Sequence, residues 1–340
     1  MPRNPTIRAA GAAASVAAVG WLLSGVVRAT LSGSTVGSGA LVELLVPSTG
    51  GSLVHTSVPR LVLAGLVGTL VVGAVTGGVA FAALRTRGAA RAAVVLACWC
   101  AAVLGSVGGQ LVSGVLVQAS PVIGYDLPSA LWTGPYWGVL YGWVVGLVVV
   151  AVLRRAGITL PSPEPVRAQA AAVTAGFAAG VGWALVGLLH RGAPPTRLLS
   201  IVLSNSSTDY LEAPGAAPVV AYVLATVVVG VVAALVTGVA ARSVDLVSGR
   251  VAFVLAGWLG VVLAASAGPV VTALGYVVGT GDDWSLGLVL NVLAATVPTN
   301  ALWGLLYGWL VALAALAALL RVNPTPTPAA EPHQPAHRAP

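Results

Sequence analysis

The stretch "YWGVLYGW" at residues 136–143 returns almost letter for letter as "LWGLLYGW" at residues 302–309. Shorter matches accompany this pair at a similar separation of about 160 residues: Gly20-Trp21 with Gly182-Trp183, and "RAAVVLACW" at 91–99 with "RVAFVLAGW" at 250–258. The matches follow the same order in both parts of the chain. The sequence therefore predicts two copies of one structural unit.

The composition places these units in a membrane. Of the 340 residues, 58% are hydrophobic and only 7% are charged, whereas about a quarter of the residues in a soluble domain are charged. The net charge of +7 comes from arginines scattered at the ends of apolar runs, and not from a basic stripe that would bind nucleic acid. We therefore expect an integral membrane protein whose main partner is the lipid bilayer, with no nucleic-acid partner.

Eight apolar runs without charged residues divide the chain. They cover approximately 9–27, 61–84, 92–118, 135–153, 168–189, 218–241, 251–278 and 300–320. Each approaches or exceeds the roughly 20 residues that cross a hydrocarbon core as a helix. None shows the alternation of polar and apolar side chains that a membrane β-barrel strand requires. The predicted fold class is an all-α polytopic membrane protein with eight transmembrane helices.

The arginines predict the orientation of the chain. If the N-terminus is cytoplasmic, twelve arginines fall on the cytoplasmic side: Arg3, Arg8, Arg85, Arg87, Arg91, Arg154, Arg155, Arg167, Arg242, Arg250, Arg321 and Arg338. Four fall on the other side: Arg28, Arg60, Arg191 and Arg197. Because positive residues concentrate in cytoplasmic loops, both termini are predicted to be cytoplasmic, in the inner (plasma) membrane of a cell.

The domain organisation follows from the repeat. Residues 1–155 and 168–321 each hold four spans, and an even number of spans returns the chain to its starting side. The two units should therefore have the same orientation, as parallel four-helix repeats. The Pro-rich segment 156–167 is a predicted cytoplasmic linker, and the Pro-rich tail 322–340 is predicted to be disordered in the cytoplasm.

The repeated stretch itself has a packing interpretation. Its glycines stand four residues apart, on one helical face, which is the small-xxx-small pattern that lets membrane helices touch backbone to backbone. The aromatic residues beside them are typical of anchors at the membrane surface. The predicted packing and anchoring residues are Trp137, Gly138, Tyr141 and Gly142, with Trp303, Gly304, Tyr307 and Gly308. An alternative is that the paired tyrosines line a central site.

Spans three and seven carry helix-breaking residues at the same position of the repeat. Interrupted helices at corresponding positions of two halves point to a binding site in duplicated transporters. We therefore expect an outward-opening vestibule between the halves, lined by Ser106, Gly109, Gln110, Ser266, Gly268 and Pro269. The alternative is an ordinary kink whose backbone groups are satisfied by neighbouring hydroxyl groups.

No motif for catalysis, a cofactor or a metal is present. The ionisable residues all fall in loops or at span ends, although intramembrane charges are the usual markers of ion and proton paths. Cys98 and Cys100 are two residues apart, so on a helix they point to different faces and do not form one metal site. We expect them to be buried as small apolar residues.

Three classes of function remain. The first is a transport-related protein, such as a permease, a channel or the membrane subunit of a transporter, with a path between the two repeats. The second is a non-catalytic membrane scaffold or accessory subunit that holds other membrane proteins. The third is an enzyme acting at the outer face, which would need two carboxylates, or a carboxylate and a histidine, within catalytic reach. Its candidate residues are Glu43, His55, Asp126, His190, Asp209, Asp282 and Asp283.

Overall fold

The structure, a computed structural model, describes residues 4–31, 42, 44–46, 58–85, 89–117, 127–160, 168–192, 203–205, 211, 216–280 and 286–323. Within these ranges the chain forms eight long helices: α1 (Pro5–Leu31), α2 (Val58–Arg85), α3 (Arg91–Val117), α4 (Leu127–Arg155), α5 (Gln169–Gly192), α6 (Ala217–Arg242), α7 (Arg250–Thr280) and α8 (Leu286–Val322). Each is long and apolar enough to cross a membrane. The prediction of an all-helical protein with eight membrane-spanning helices is confirmed at this level.

Arginines mark one end of six of these helices. They stand at or near the end of α2, α4, α6 and α8 and at the start of α3 and α7: Arg85, Arg155, Arg242, Arg321, Arg91 and Arg250. A charged side chain inside hydrocarbon is costly, so the apolar segments run between such ends. We call the surface formed by these ends the arginine-rich face, and the other surface the opposite face.

Helix α8 is longer than the sequence pattern suggests. It has 37 residues and is about 55 Å long at 1.5 Å per residue, compared with a hydrocarbon core of about 30 Å. It begins at Leu286 and not near residue 300. The residues before Pro298 belong to the same helix, which runs through this proline. Similarly, α4 begins at Leu127, before Pro135.

The first four helices and the last four have the same neighbours. In the first half (α1–α4), α1 packs against α2 and α4, and α3 lies between α2 and α4. In the second half (α5–α8), α5 packs against α6 and α8, and α7 lies between α6 and α8. The main contacts that join the halves are α3 with α7 and α4 with α8. Each of these two contacts therefore joins helices at corresponding positions of the two halves.

The expected interruptions of spans three and seven are absent from the described helices. Both α3 and α7 run as continuous helix through Gly109 and Pro269. Gly109 serves close packing instead, because a Cβ atom at this position would lie 3.0 Å from the carbonyl oxygen of Gly68 in α2 and in conflict with the side chain of Val72. In lipid, a continuous helix keeps its backbone groups bonded, which explains why the segments do not break.

Candidate functional site

The repeated stretch forms a close helix contact in each half. Gly138 of α4 faces the Cα atom of Val103 in α3, and a Cβ on this glycine would overlap it. Gly304 of α8 faces Val262 of α7 in the same way, at 2.5 Å between the added Cβ and the Cα. The backbones therefore touch at both positions, and only glycine fits.

One turn further along, each of these glycine faces receives a tryptophan. A Cβ on Gly308 would lie 2.6 Å from the ring of Trp258, and Gly142 meets Trp99 in the corresponding way. The indole N–H of Trp99 donates to the carbonyl of Gly138 at 2.9 Å, and that of Trp258 donates to Leu305, also at 2.9 Å. The steric arrangement and the hydrogen bonds are therefore alike in the two halves.

The first tryptophan of each repeated stretch faces the interior of its half. Trp137 is 2% exposed and Trp303 is 1% exposed. The ring of Trp137 packs on Gly20 of α1, and that of Trp303 packs on Gly182 of α5. In each half a tyrosine four residues further on packs beside the indole, with ring centroids 5.7 and 5.8 Å apart.

The exterior of each stretch carries a different tryptophan. Trp143 is 45% exposed and Trp309 is 43% exposed. Both indole N–H groups donate, at 2.8 Å, to the carbonyl three residues earlier in their own helix. These two rings can therefore face lipid without an unbonded donor.

The two halves differ in the hydrogen bond of the buried indole, which is that of Trp137 in the first half and of Trp303 in the second. Trp137 Nε1 donates to the hydroxyl of Ser24 at 2.8 Å, and Ser24 donates in turn to the carbonyl of Gly20 at 2.9 Å. Trp303 Nε1 has no hydrogen-bond partner among the described residues. The Gly-Trp match places Val186 at the position of Ser24, and valine offers no acceptor.

The second half has a cluster of buried polar groups near the buried indole of Trp303. Trp183 Nε1 donates to Asn300 Oδ1 at 2.8 Å, and Asn205 Nδ2 donates to the carbonyl of Trp183 at 2.6 Å. Ser204, Asn205 and Asn300 are completely buried. The hydroxyl of Ser204 has no partner among the described residues. We call Trp183, Ser204, Asn205, Asn300 and Trp303 the α5–α8 polar cluster.

In the first half, tyrosines make the corresponding contacts with the segment that follows α1. Tyr136 donates to the carbonyl of Leu44 at 2.6 Å, and Tyr141 donates to the carbonyl of Leu45. Leu302 stands where Tyr136 would be in the second half. In the first half, tyrosines of α4 therefore bond the segment after α1, whereas in the second half Asn205, in the connection after α5, bonds α5 itself.

The residues expected to line a vestibule lie in the parts of α3 and α7 farther from the arginine-rich face and are all buried: Ser106, Gly109, Gln110, Ser266, Gly268 and Pro269. The hydroxyls of Ser106 and Ser266 donate, at 2.8 Å each, to carbonyls of their own helices. Gln110 is 5% exposed, and its Oε1 has no partner among the described residues. The exposed side chains described in this part of the two helices are apolar: Val115, Val270, Leu274 and Val278.

The two halves are also joined at the arginine-rich face. Ala89, between α2 and α3, forms an antiparallel bridge with Val244, between α6 and α7, and the amide of Ala90 donates to the carbonyl of Ser243 at 2.7 Å. All four residues are buried. At this face the halves are therefore in direct backbone contact.

The same turn contains the one described carboxylate, Asp245. Its oxygens accept from the Ser248 hydroxyl at 2.6 Å and from the amides of Val247 and Ser248 at 3.1 and 3.2 Å. These bonds, with the Ser248 hydroxyl first, hold the pKa of Asp245 below its usual value. The carboxylate therefore shapes the turn in its ionised form.

The described residues contain no group of three or more His, Cys, Asp or Glu side chains that could hold a metal ion. Cys98 and Cys100 are buried and form no disulfide. The carboxylates and the histidine considered for an enzyme, apart from His190 in the last turn of α5, lie outside the described residues: Glu43, His55, Asp126, Asp209, Asp282 and Asp283.

Sequence reasoning missed the α5–α8 polar cluster. Asn300 stood at the edge of the predicted span, which covers approximately 300–320. Comparing the halves position by position would have shown Val186 opposite Ser24. The contact of Asn205 with Trp183 could not be predicted from a local pattern, because the two residues are 22 positions apart and belong to a connection and a helix.

Comparison with protein-family models, with curated proteins and with solved structures found no match for this chain.

Proposed function

We propose that the protein is transport-related, with a path for a neutral solute between two four-helix repeats of the same orientation. The proposal places both termini in the cytoplasm and the arginine-rich face at the cytoplasmic surface of the plasma membrane. The equal neighbours of the two sets of helices and the pairing of α3 with α7 and α4 with α8 support the repeat.

One observation carries the proposal. Helices α3 and α7 are the most enclosed in the protein, with 67% and 72% of their spanning windows buried, against at most 50% in any other helix. At the arginine-rich face the halves are closed by the bridge between Ala89 and Val244. Exposed side chains occur on both sides of the centre of α7: Val251 is 44% exposed, and Val270 and Leu274, toward the opposite face, are 40% and 43% exposed. One end state of an alternating-access path is closed at one face, and we propose that this path opens at the other face, beside Val270.

The side chains limit the solute. In the part of the chain that the structure describes, arginines stand only near helix ends, so no charged partner is available within the spans for an ion. The exposed side chains of α7 toward the opposite face are valine and leucine. A neutral and partly apolar solute fits these surroundings, because moving a charge into them would be costly.

The scaffold alternative has its own support. The Cys100 thiol of α3 reaches the backbone of Leu259 in α7, and both residues are buried. A closed seam of this kind would suit a rigid scaffold that presents its exterior to partner membrane proteins.

A labelling experiment separates the two. Val270→Cys and, as the control, Val223→Cys would be made in a chain carrying Cys98→Ala and Cys100→Ala. Val270 is 20 residues after Arg250, and Val223 is 19 residues before Arg242, so both lie about 30 Å along their helices from the arginine-rich face. Val223 is 56% exposed on the exterior of α6. An impermeant thiol reagent should label Val270→Cys several times faster if water enters between the halves.

A crosslink sharpens the test. The backbone bridge brings Ala89 and Val244 to about 4.5–5.5 Å between Cα atoms, a distance that a disulfide tolerates. If the protein alternates, oxidising the pair Ala89→Cys and Val244→Cys should raise the labelling of Val270→Cys. Equal labelling at Val270 and Val223 would reject the path, and fast labelling that the crosslink leaves unchanged would favour the scaffold.

A further inference from the structure

The α5–α8 polar cluster contains two buried groups that are still able to bond. Trp303 Nε1 and Ser204 Oγ are almost completely buried, and neither has a partner among the described residues. Burying a donor without a partner costs free energy, and water is scarce at this depth. An oxygen from outside the chain would supply the missing bonds.

Trp303 and Asn205, the neighbour of Ser204, contact consecutive positions of α5. The ring of Trp303 lies 3.5 Å from the place that a Cβ on Gly182 would occupy. Asn205, next to Ser204, donates to the carbonyl of Trp183 at 2.6 Å. In the first half, an indole in the corresponding position over Gly20 reaches the residue one turn further on, Ser24. The unbonded N–H of Trp303 should accordingly lie beside Val186.

The chemistry of the two groups selects the ligand. An indole N–H only donates, whereas a hydroxyl donates and accepts. The neighbouring amide oxygen, Asn300 Oδ1, is already bonded to Trp183. A cation would find no lone pair on the indole, and an anion would be buried without an opposite charge, which is costly. A neutral carbonyl or hydroxyl oxygen matches both groups.

We propose that the second half binds a small neutral molecule between α5 and α8 through a carbonyl or hydroxyl oxygen, which accepts from Trp303 Nε1 and Ser204 Oγ. Ser204 belongs to the connection after α5, so the site is reached from the opposite face. The first half has no such site, because Ser24 occupies the N–H of Trp137. The site lies within one half and is independent of the path proposed between the halves.

The test exchanges the residues at position 24 of the first half and position 186 of the second half. The indole nitrogens would be labelled with ¹⁵N, and the signals of Trp303 and Trp137 assigned with Trp303→Phe and Trp137→Phe. The probe is N,N-dimethylacetamide, a neutral acceptor without a donor, with acetate as the charged control. In the native chain the probe should shift the Trp303 signal several times more than the Trp137 signal, and acetate should shift neither.

Val186→Ser should abolish the response of Trp303, because the new hydroxyl accepts its N–H as Ser24 does in the first half. Ser24→Val should make Trp137 respond. The second variant keeps the inference testable even if the first folds poorly. Equal responses of Trp303 and Trp137 in the native chain, or a Trp303 indole in contact with water that the probe does not displace, would overturn the proposal. Neither result depends on the labelling of Val270.

Discussion

The two halves of the molecule agree in how their backbones pack and differ in how their buried polar groups are bonded. Gly138 and Gly304 bring α4 onto α3 and α8 onto α7 with nearly the same geometry. By contrast, Trp137 is bonded to Ser24, whereas Trp303 has no partner among the described residues. Backbone contact leaves no alternative to glycine, but an indole N–H can use any acceptor. The backbone packing is therefore the same in the two halves, whereas the hydrogen bonds of the buried indoles differ.

The largest effect should come from the shared packing. Gly138→Leu and Gly304→Leu would place a side chain where another backbone lies, so each should lower the free energy of unfolding in detergent by about 3 kcal/mol or more, or prevent folding. Gly65→Leu and Gly287→Leu are the controls, because a Cβ at these positions meets nothing within 4 Å. They should cost nothing, since leucine is the better helix former. A tolerated Gly304→Leu beside a damaging Gly138→Leu would show that the packing of the halves is not equivalent.

Loss of the amide that only the second half uses should come next. Asn300→Leu removes the acceptor of Trp183 Nε1 inside the protein, and an unsatisfied buried donor costs about 1–3 kcal/mol. Thr299→Val, one residue away, removes only an exposed bond to the same helix and is the matched control. Thermal unfolding in detergent measures both. Equal midpoints would mean that the bond between Trp183 and Asn300 does not stabilise the fold.

A smaller effect should distinguish the two buried indoles. Trp137→Phe and Trp303→Phe remove the same ring volume, but among the described residues only the first removes a hydrogen bond. In ligand-free detergent, Trp137→Phe should be the more destabilising by about 1 kcal/mol. Denaturant unfolding of the two variants gives this difference directly. If Trp303→Phe costs as much, Trp303 has an acceptor that is equivalent to Ser24.

The smallest effect concerns the turns at the arginine-rich face. The pKa of Asp245 is lowered in the folded chain, chiefly by Ser248. Its stabilising contribution is therefore complete above the ordinary pKa of an aspartate and is lost as the pH falls through the lower folded value. The side chain is largely exposed, so the change should be small. The amides of Val247 and Ser248 should become less protected from hydrogen exchange as the pH falls below about 4.

Asp245→Asn is the control for this prediction, because it should remove the pH dependence. The turn between α2 and α3 has no acidic residue and should show none. An unchanged pH dependence in Asp245→Asn would place its origin in another group.

The sequence predicted the helices better than their details. The apolar runs identified all eight helices because lipid excludes unbonded backbone over about 20 residues. Gly109 and Pro269 were taken as breaks, and both helices continue through them. The last span was predicted to begin near residue 300, whereas α8 begins at Leu286 and runs through Pro298. In each case a local preference for ending a helix yielded to the need to keep backbone groups bonded.

The candidate site was less accessible to sequence reasoning. The serines and Gln110 could be named, but whether each faces a neighbouring helix or a gap depends on the rotation of α3 and α7. The bond between Asn205 and Trp183 and the bridge between Ala89 and Val244 join segments that are distant along the chain. Nothing in the local pattern indicates such pairs.

The sequence by itself determined the class of the protein, the number of long apolar helices among the described residues and the positions where glycine recurs, because hydropathy and spacing are properties of a single segment. Only the tertiary structure decided which glycine faces meet and that Trp137 and Trp303 turn inward while Trp143 and Trp309 turn outward. It also decided that one buried indole has a hydrogen-bond partner among the described residues and the other has none. These outcomes depend on pairs of helices, and a hydrogen bond exists only when its donor and its acceptor are brought together.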